Sequence, residues 1–480
     1  MRWRYLLILM LFAVPRALAE SLPDLGDVAQ SDFSPLQERR LGEQIMREIR
    51  ADRSFYDDAE AADYINTLGE RLVARSPDAR QNFDFFLIQD GQINAFALPG
   101  GFVGVNSGLL LNAQSESEVA SVLAHEIAHV TQRHIARMLA QQKQSQITSL
   151  AALAVAILAA RASSQAAQAA AAFGTASAIQ SQLNFTREHE READRVGVQI
   201  LEQAGFDPHA MATFFDRLQR ATRVYEGGAP SYLRTHPLTF ERIADIQNRV
   251  EHLPYRQVPD SLEFQLIRAK LRAEMESPRD AVAYFEQSLA ERKFLSEAAS
   301  RYGLAVSLLR AQDHARARKE LAAVRKLAAQ PSPVLETLDC RLKTAAGEGA
   351  AAFACYREAL KTYPNYRALT YDYANALLQN RRPDAALKLV EDRLQVYAED
   401  YKLYLLQARS YAMLNKRLAQ HRAQGEAYVR MGNIPGAVEQ LQIALKSGDG
   451  DFYQLSSTEA RLRELRQLHN ELRKEQRKER

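Results

Sequence analysis

Small residues return through the second half of the chain at nearly constant intervals, and no other feature of the sequence restricts its folding as much. Ala269, Ala305, Cys340, Ala374 and Ala408 are separated by 36, 35, 34 and 34 residues, and Ala281, Ala317, Ala352 and Ala386 each follow the first four by 12. From about residue 262 strand signals vanish and apolar residues recur with helical period. A unit of this length holds two antiparallel helices, and small side chains where they cross let the backbones approach closely. Stacked units form a solenoid with a concave groove for a peptide or protein. Gly425 follows Ala408 by only 17 residues, so the phase slips there and one helix is expected to serve two units. The last stretch, 461–480, reads as a charged helix of mixed sign, a solvated cap or frayed tail.

This pattern resembles the tetratricopeptide repeat. The third unit adds Tyr356, Ala359 and Pro364, and a later one reads Gly425, Tyr428, Ala437, Leu441, Ala444. Residues 262–460 are therefore expected to form a tetratricopeptide domain.

The 480 residues are too many for one typical domain. The chain opens MRWRYLLILMLFAVPRALAES: a basic start, an apolar run and the triplet Ala17-Leu18-Ala19. That is the pattern of a secretory signal peptide at 1–19, cut after Ala19. The run is too short to span a bilayer, and no cysteine follows the cut to carry a lipid. Removing Arg2, Arg4 and Arg16 takes the formal charge from +3 to about zero (+3 minus 3), which gives no reason to expect a nucleic-acid partner. Only Cys340 and Cys355 are present. In an exported protein they can pair; two buried free thiols is the other reading.

Strand signals are confined to the first half. FDFFLIQ (83–89), INAFAL (93–98) and FVGVN (102–106) read as short strands, split by Asp90-Gly91 and Pro99-Gly100-Gly101. A helix follows, opened by a capping box of Ser115 and Glu118. An Ala-rich segment at 140–182 holds an apolar run, 147–160, that reads as part of a lid or insert, or as a peripheral membrane contact.

The helix after Ser115 carries His125-Glu126-Ile127-Ala128-His129. Two imidazoles four residues apart share one helix face and can reach one ion. Zinc suits two histidine nitrogens and a carboxylate with a water in the open position, and Glu126 stands beside that water as a general base. His134 is too far along the helix to share the ion and reads as structural or surface. The remaining ligand must come from another helix. NFTREHEREADRVGVQILEQAGFDP places Glu190 and Asp194 one turn apart, one to bind metal and the other to accept a hydrogen bond from a ligand histidine. His189, Glu188 and Glu192 on the same helix stay open as alternatives.

Together, HEIAH, EREAD and INAFALPGGFVGVNSGLL resemble the HtpX and prenyl-protein (CAAX) endopeptidase superfamily of gluzincin proteases. The resemblance implies a mainly α protein: an α+β zincin-type metalloprotease domain at 20–255, then the α-helical solenoid. It implies one zinc per chain, with Glu190 the third ligand and Asp194 supporting the site. It also implies that His236, in the Thr-His-Pro stretch of YLRTHPLTFERIADI, is a fourth zinc ligand of a latent state. Off the metal, the same imidazole would donate to the oxyanion, so Glu126, Asp194 and His236 are the expected catalytic residues. Arg242 would anchor carboxylates of the site or form an exposed ion pair. Substrate is expected in extended form, paired with the strand at 93–98 or at 102–106. In combining signal peptide, protease and solenoid the chain resembles periplasmic proteases of outer-membrane protein assembly, and this resemblance implies an endopeptidase for unfolded or stalled outer-membrane proteins, with the solenoid groove binding clients or the assembly machinery. A mainly non-proteolytic chaperone or adaptor is the second reading, and a membrane-inserted prenyl-protein protease the third.

Overall fold

The computed structural model describes residues 34–78, 81–140, 187–224, 231–328 and 330–478. The expected signal peptide and, apart from Ala140, the Ala-rich segment at 140–182 lie outside the described residues.

The first part of the fold is built from α1 (Pro35–Ala51), α2 (Ala59–Val73), β1 (Asp84–Ile88), β2 (Ala95–Leu98), β3 (Phe102–Asn106), α3 (Ser107–Asn112), α4 (Glu116–Thr131), α5 (His134–Ala140), α6 (Arg187–Gln203), α7 (His209–Val224), α8 (Ser231–Thr235) and α9 (Phe240–Glu251). Strand order is β1-β3-β2, with β1 parallel and β2 antiparallel to β3. The β2–β3 hairpin turns through Gly100 and Gly101, at φ 77° and 86°. A Cβ on Gly101 would lie 2.1 Å from the Asn82 carbonyl oxygen, so only glycine fits that corner.

This order corrects one expectation. β3 is the central strand, hydrogen-bonded on both sides and buried at all five positions, so residues 102–106 cannot pair with a substrate. The outer edge of β1 is also taken: Tyr56 N–H donates to the Leu87 carbonyl, Gln89 N–H to the Ser54 carbonyl, and the Asn66 amide bonds both backbone groups of Phe85. β2 is the other outer strand of the sheet, and it packs against α4.

Ser115 caps α4 by accepting from Glu118 N–H at 3.3 Å. The reciprocal half of the expected box is absent: the Glu118 carboxylate accepts from Gln114 N–H instead and pairs with Arg217 of α7. Residues 116–129 of α4 are all buried, so the helix is the spine of its domain.

From residue 262 the chain is helical throughout: α10 (Leu262–Met275), α11 (Pro278–Ala290), α12 (Glu297–Arg310), α13 (His314–Leu327), α14 (Pro333–Ala345), α15 (Gly349–Thr362), α16 (Arg367–Gln379), α17 (Pro383–Leu394), α18 (Tyr401–Met413), α19 (Arg417–Arg430), α20 (Ile434–Leu445) and α21 (Phe452–Lys478). Every small residue of the period is buried on one of these helices. α19 packs on both α18 and α20, and the Cβ direction of Gly425 points at Leu441, 3.2 Å away, the packing a helix shared by two units would have. α21 caps the stack through Leu462 and Leu465, buried on Ala437 and Leu441. Cys340 and Cys355 form a disulfide joining α14 to α15.

The two parts share a core. One apolar cluster runs from Ala61 in α2 through Phe264, Tyr302 and Leu342 of the solenoid. Above it lies a buried ionic knot: Lys270 of α10 meets Asp58 at 2.6 Å and also Glu60, whose carboxylate is held by Arg341 at 2.9 Å. Farther along, Arg367 pairs with Asp63, and Tyr401 and Lys402 both bond Asp57.

Candidate metal centre

The centre forms where α4 and α6 lie side by side. Gly197 on α6 allows the approach, since a Cβ there would stand 3.2 Å from the His125 backbone nitrogen. One and two turns earlier on the same helix face, Asp194 and Glu190 point at the histidines of α4. The short helix α8 delivers His236 from the other side. Its backbone N–H donates to the Tyr232 carbonyl, Tyr232 N–H donates to the Ile93 carbonyl, and the Tyr232 ring stacks on the imidazole at 4.8 Å.

One donor atom each from His125, His129, Glu190 and His236 lies within 4.8 Å of all the others, and all four residues are buried. His125 Nε2 is 3.0 Å from His129 Nε2, 3.3 Å from His236 Nδ1 and 3.5 Å from Glu190 Oε2. Glu190 Oε1 is 3.4 Å from His129 Nε2 and 3.0 Å from His236 Nδ1. A tetrahedral ion held by nitrogen and oxygen donors at about 2.0–2.1 Å separates them by about 3.3 Å, so the residues fit such an ion. Three imidazoles and one carboxylate match the chemistry of a divalent first-row metal. The alternatives on α6 are elsewhere: Glu188 is exposed, His189 stacks on His134, and Glu192 bonds His134.

Around the donors, the electrostatics run in two directions. Burial opposes charge on His125, but the carboxylates of Asp194 and Glu190 outweigh it and raise its pKa to about 9 in the metal-free chain. Burial dominates at His129 and lowers it to about 3. Burial also works against the Glu190 charge, yet His236, His125 and His129 hold its carboxyl well below the usual range. An Asp194 oxygen lies 3.0 Å from His125 Nδ1, and the Asp194 carboxylate is gripped by both arms of Arg242, at 2.7 and 2.8 Å. Arg242 also reaches Glu190 at 2.8 Å and the Pro237 carbonyl at 2.8 Å. It is 1% exposed, which excludes the surface ion pair and leaves the anchoring reading.

Glu126 is fully buried at the rim of this set, with Oε1 3.4 Å from His236 Nε2. His134 stays outside the donor set, as expected, but the helix path assumed for it differs. α4 does not run on through it: Arg133 turns left-handed at φ 53°, a new helix starts, and His134 folds back, fully buried, onto His129. Two contributors went unnoticed at the sequence level. Gly197 leaves a visible signal, a glycine inside a helix. Tyr232 leaves none.

The model of peptidase family M48 matches residues 59–250, which span every residue of the centre. The beta-barrel assembly-enhancing protease of Escherichia coli (strain K12) is 35% identical over 455 residues, covering 94% of this chain and 92% of that one. The protein of that name from Yersinia pestis is 33% identical, covering 95% and 93%. The mitochondrial metalloendopeptidase OMA1 of Schizosaccharomyces pombe is 33% identical but over 48% of this chain and 64% of its own. The last match covers about half of this chain, whereas the first two cover nearly all of it. The likeness to the first two runs along nearly the whole length of both chains, and the chain belongs to the beta-barrel assembly-enhancing protease family, built on a peptidase family M48 domain.

Proposed function

We propose that this metallopeptidase is a zinc endopeptidase of the periplasm that acts, with chaperone-like holding by its solenoid, on outer-membrane proteins during assembly. The observation that carries the reading is the buried donor set of His125, His129, Glu190 and His236 with Glu126 at its rim. The domain division we propose is a signal peptide at 1–19, a peptidase domain at 20–255, a tetratricopeptide domain at 262–460 and a charged end at 461–480. The Cys340–Cys355 disulfide supports an oxidising compartment and hence export. Among the described residues, no helix is long and apolar enough to cross a membrane.

When bound, zinc supplies Lewis acidity to the scissile carbonyl and to a nucleophilic water. The protein residues do the rest. Glu126 accepts the water proton and returns it to the leaving amine. Asp194 fixes the His125 ring through Nδ1, and Arg242 keeps Asp194 ionised in a buried place. With His236 among the donors, no position is left for water, so this arrangement is the latent one. Withdrawn from the metal, His236 can donate to the oxyanion. β2, an outer strand of the sheet, is suited by its place to hold an extended client by backbone pairing, which ignores most side-chain identity.

Glu126→Gln tests this reading. The variant should retain one zinc per chain and the wild-type fold while cleavage of an unfolded outer-membrane β-barrel protein drops by about 10²–10⁴-fold. Undiminished cleavage would sink the assignment. Full complementation of a deletion strain by the inactive variant would favour the second reading, in which the solenoid groove does the essential work.

A further inference from the structure

We propose that His134 and Glu192 are positioning residues that set the tautomer of the metal ligand His129. The geometry is a chain of three contacts. His134 Nδ1 lies 2.9 Å from His129 Nδ1, and His134 Nε2 lies 3.2 Å from Glu192 Oε2. The same carboxylate oxygen accepts from Arg137 Nη1 at 3.0 Å, and the His134 ring is clamped by a stack on His189 at 4.5 Å.

The direction of the hydrogen bonds follows from the far end. A carboxylate paired with arginine is only an acceptor, so the proton of His134 sits on Nε2. Its Nδ1 is then bare and must accept, so His129 Nδ1 carries the hydrogen. That leaves His129 Nε2 with a free lone pair, and this is the atom 3.0 Å from His125 Nε2 and 3.4 Å from Glu190 Oε1. Glu192, two rings away, thus aims the His129 lone pair at the metal position. His125 is aimed by the shorter route of Asp194 and the buried Arg242. Partners of this kind fix the ring and raise ligand basicity in metal sites generally. Neither residue reads this way in the sequence, because His134 is brought beneath His129 only by the left-handed turn at Arg133.

The experiment uses the full-length protein, zinc alone as the probe, and chelator competition to read its dissociation constant. Absorption bands of the cobalt-substituted protein and the melting temperature of the metal-free form are read alongside. His134→Leu should weaken zinc by about 10–100-fold and shift the cobalt bands. His134→Gln, whose amide oxygen can accept from His129 Nδ1–H, should recover most of that loss. Glu192→Ala, at a half-exposed position, should weaken zinc by about 3–10-fold, and it keeps the test alive if His134→Leu does not fold. The proposal rests on His129 being a ligand. If His129→Ala keeps wild-type zinc affinity, both readings fall. If His129→Ala loses zinc while His134→Leu and Glu192→Ala keep it, or if the leucine and glutamine variants lose it equally, the relay alone is overturned.

Discussion

At the scale of single residues, the centre depends on a few buried groups with no slack. Arg242 is the clearest case: its guanidinium holds Asp194 with two bonds and lies 2.8 Å from a Glu190 oxygen. Arg242→Met should leave Asp194 buried without a cation and cost about 3–5 kcal/mol in urea unfolding. Arg242→Lys should recover only part, because an ammonium cannot match the two-pronged grip. Gly197 sets the spacing of the two helices. Gly197→Val should cost about 1–3 kcal/mol and weaken zinc binding as α6 is pushed off His125; unchanged metal affinity would refute the role given to this glycine. These residues differ in how far the sequence reveals them. His125 and His129 are legible because they stand one helical turn apart with Glu126 beside the first; Glu190 and Asp194 share that spacing, but choosing them over Glu188, His189 and Glu192 takes the family resemblance. His236 is reached only through family resemblance, since its position depends on a tertiary contact between Tyr232 and Ile93. His134 is misplaced by any straight-helix reading, because nothing marks an arginine as the residue that takes a positive φ.

Secondary-structure elements were legible to different degrees for physical reasons. The solenoid helices follow from a long-range period of small residues, and even the shared helix α19 is announced by the broken phase. The strands were found at nearly the right places, but their order was not. A chain entering β1, β2 and β3 in turn carries no local sign that β1 will pair with β3 in parallel, leaving β2 at the edge. Pairing is decided by what covers each edge, and the covering groups, Tyr56 and Asn66, lie well upstream. The disulfide ties α14 to α15 across 15 residues. Cys355→Ser should lower stability by about 3 kcal/mol, read as a lower melting temperature that added reductant no longer changes.

At the scale of the whole molecule, the peptidase part and the solenoid are joined by buried charge as well as by apolar packing. Lys270 lies in LIRAKLRAEM, which reads as an ordinary amphipathic helix with a solvated lysine, yet it is 1% exposed. Its burial is invisible in the sequence because its partners, Asp58 and Glu60, sit about two hundred residues away. Lys270→Met should cost about 3–5 kcal/mol and separate the unfolding of the two parts. Burial favours the neutral form of Asp58, but the Lys270 ammonium holds its pKa below the usual carboxylate value. A depressed pKa means the contribution to stability is complete above about pH 4 and is lost as pH falls through the lower folded value. Asp58→Asn should therefore flatten the dependence of the urea midpoint on pH below about 4; an unchanged slope would count against the pairing. α2 has a further consequence. It lies against the metal helix α4 and also against α10 and α16 of the solenoid, so it is a wall common to both compartments. Any bending of the solenoid would press on that wall, which stands one helix away from His125 and His129.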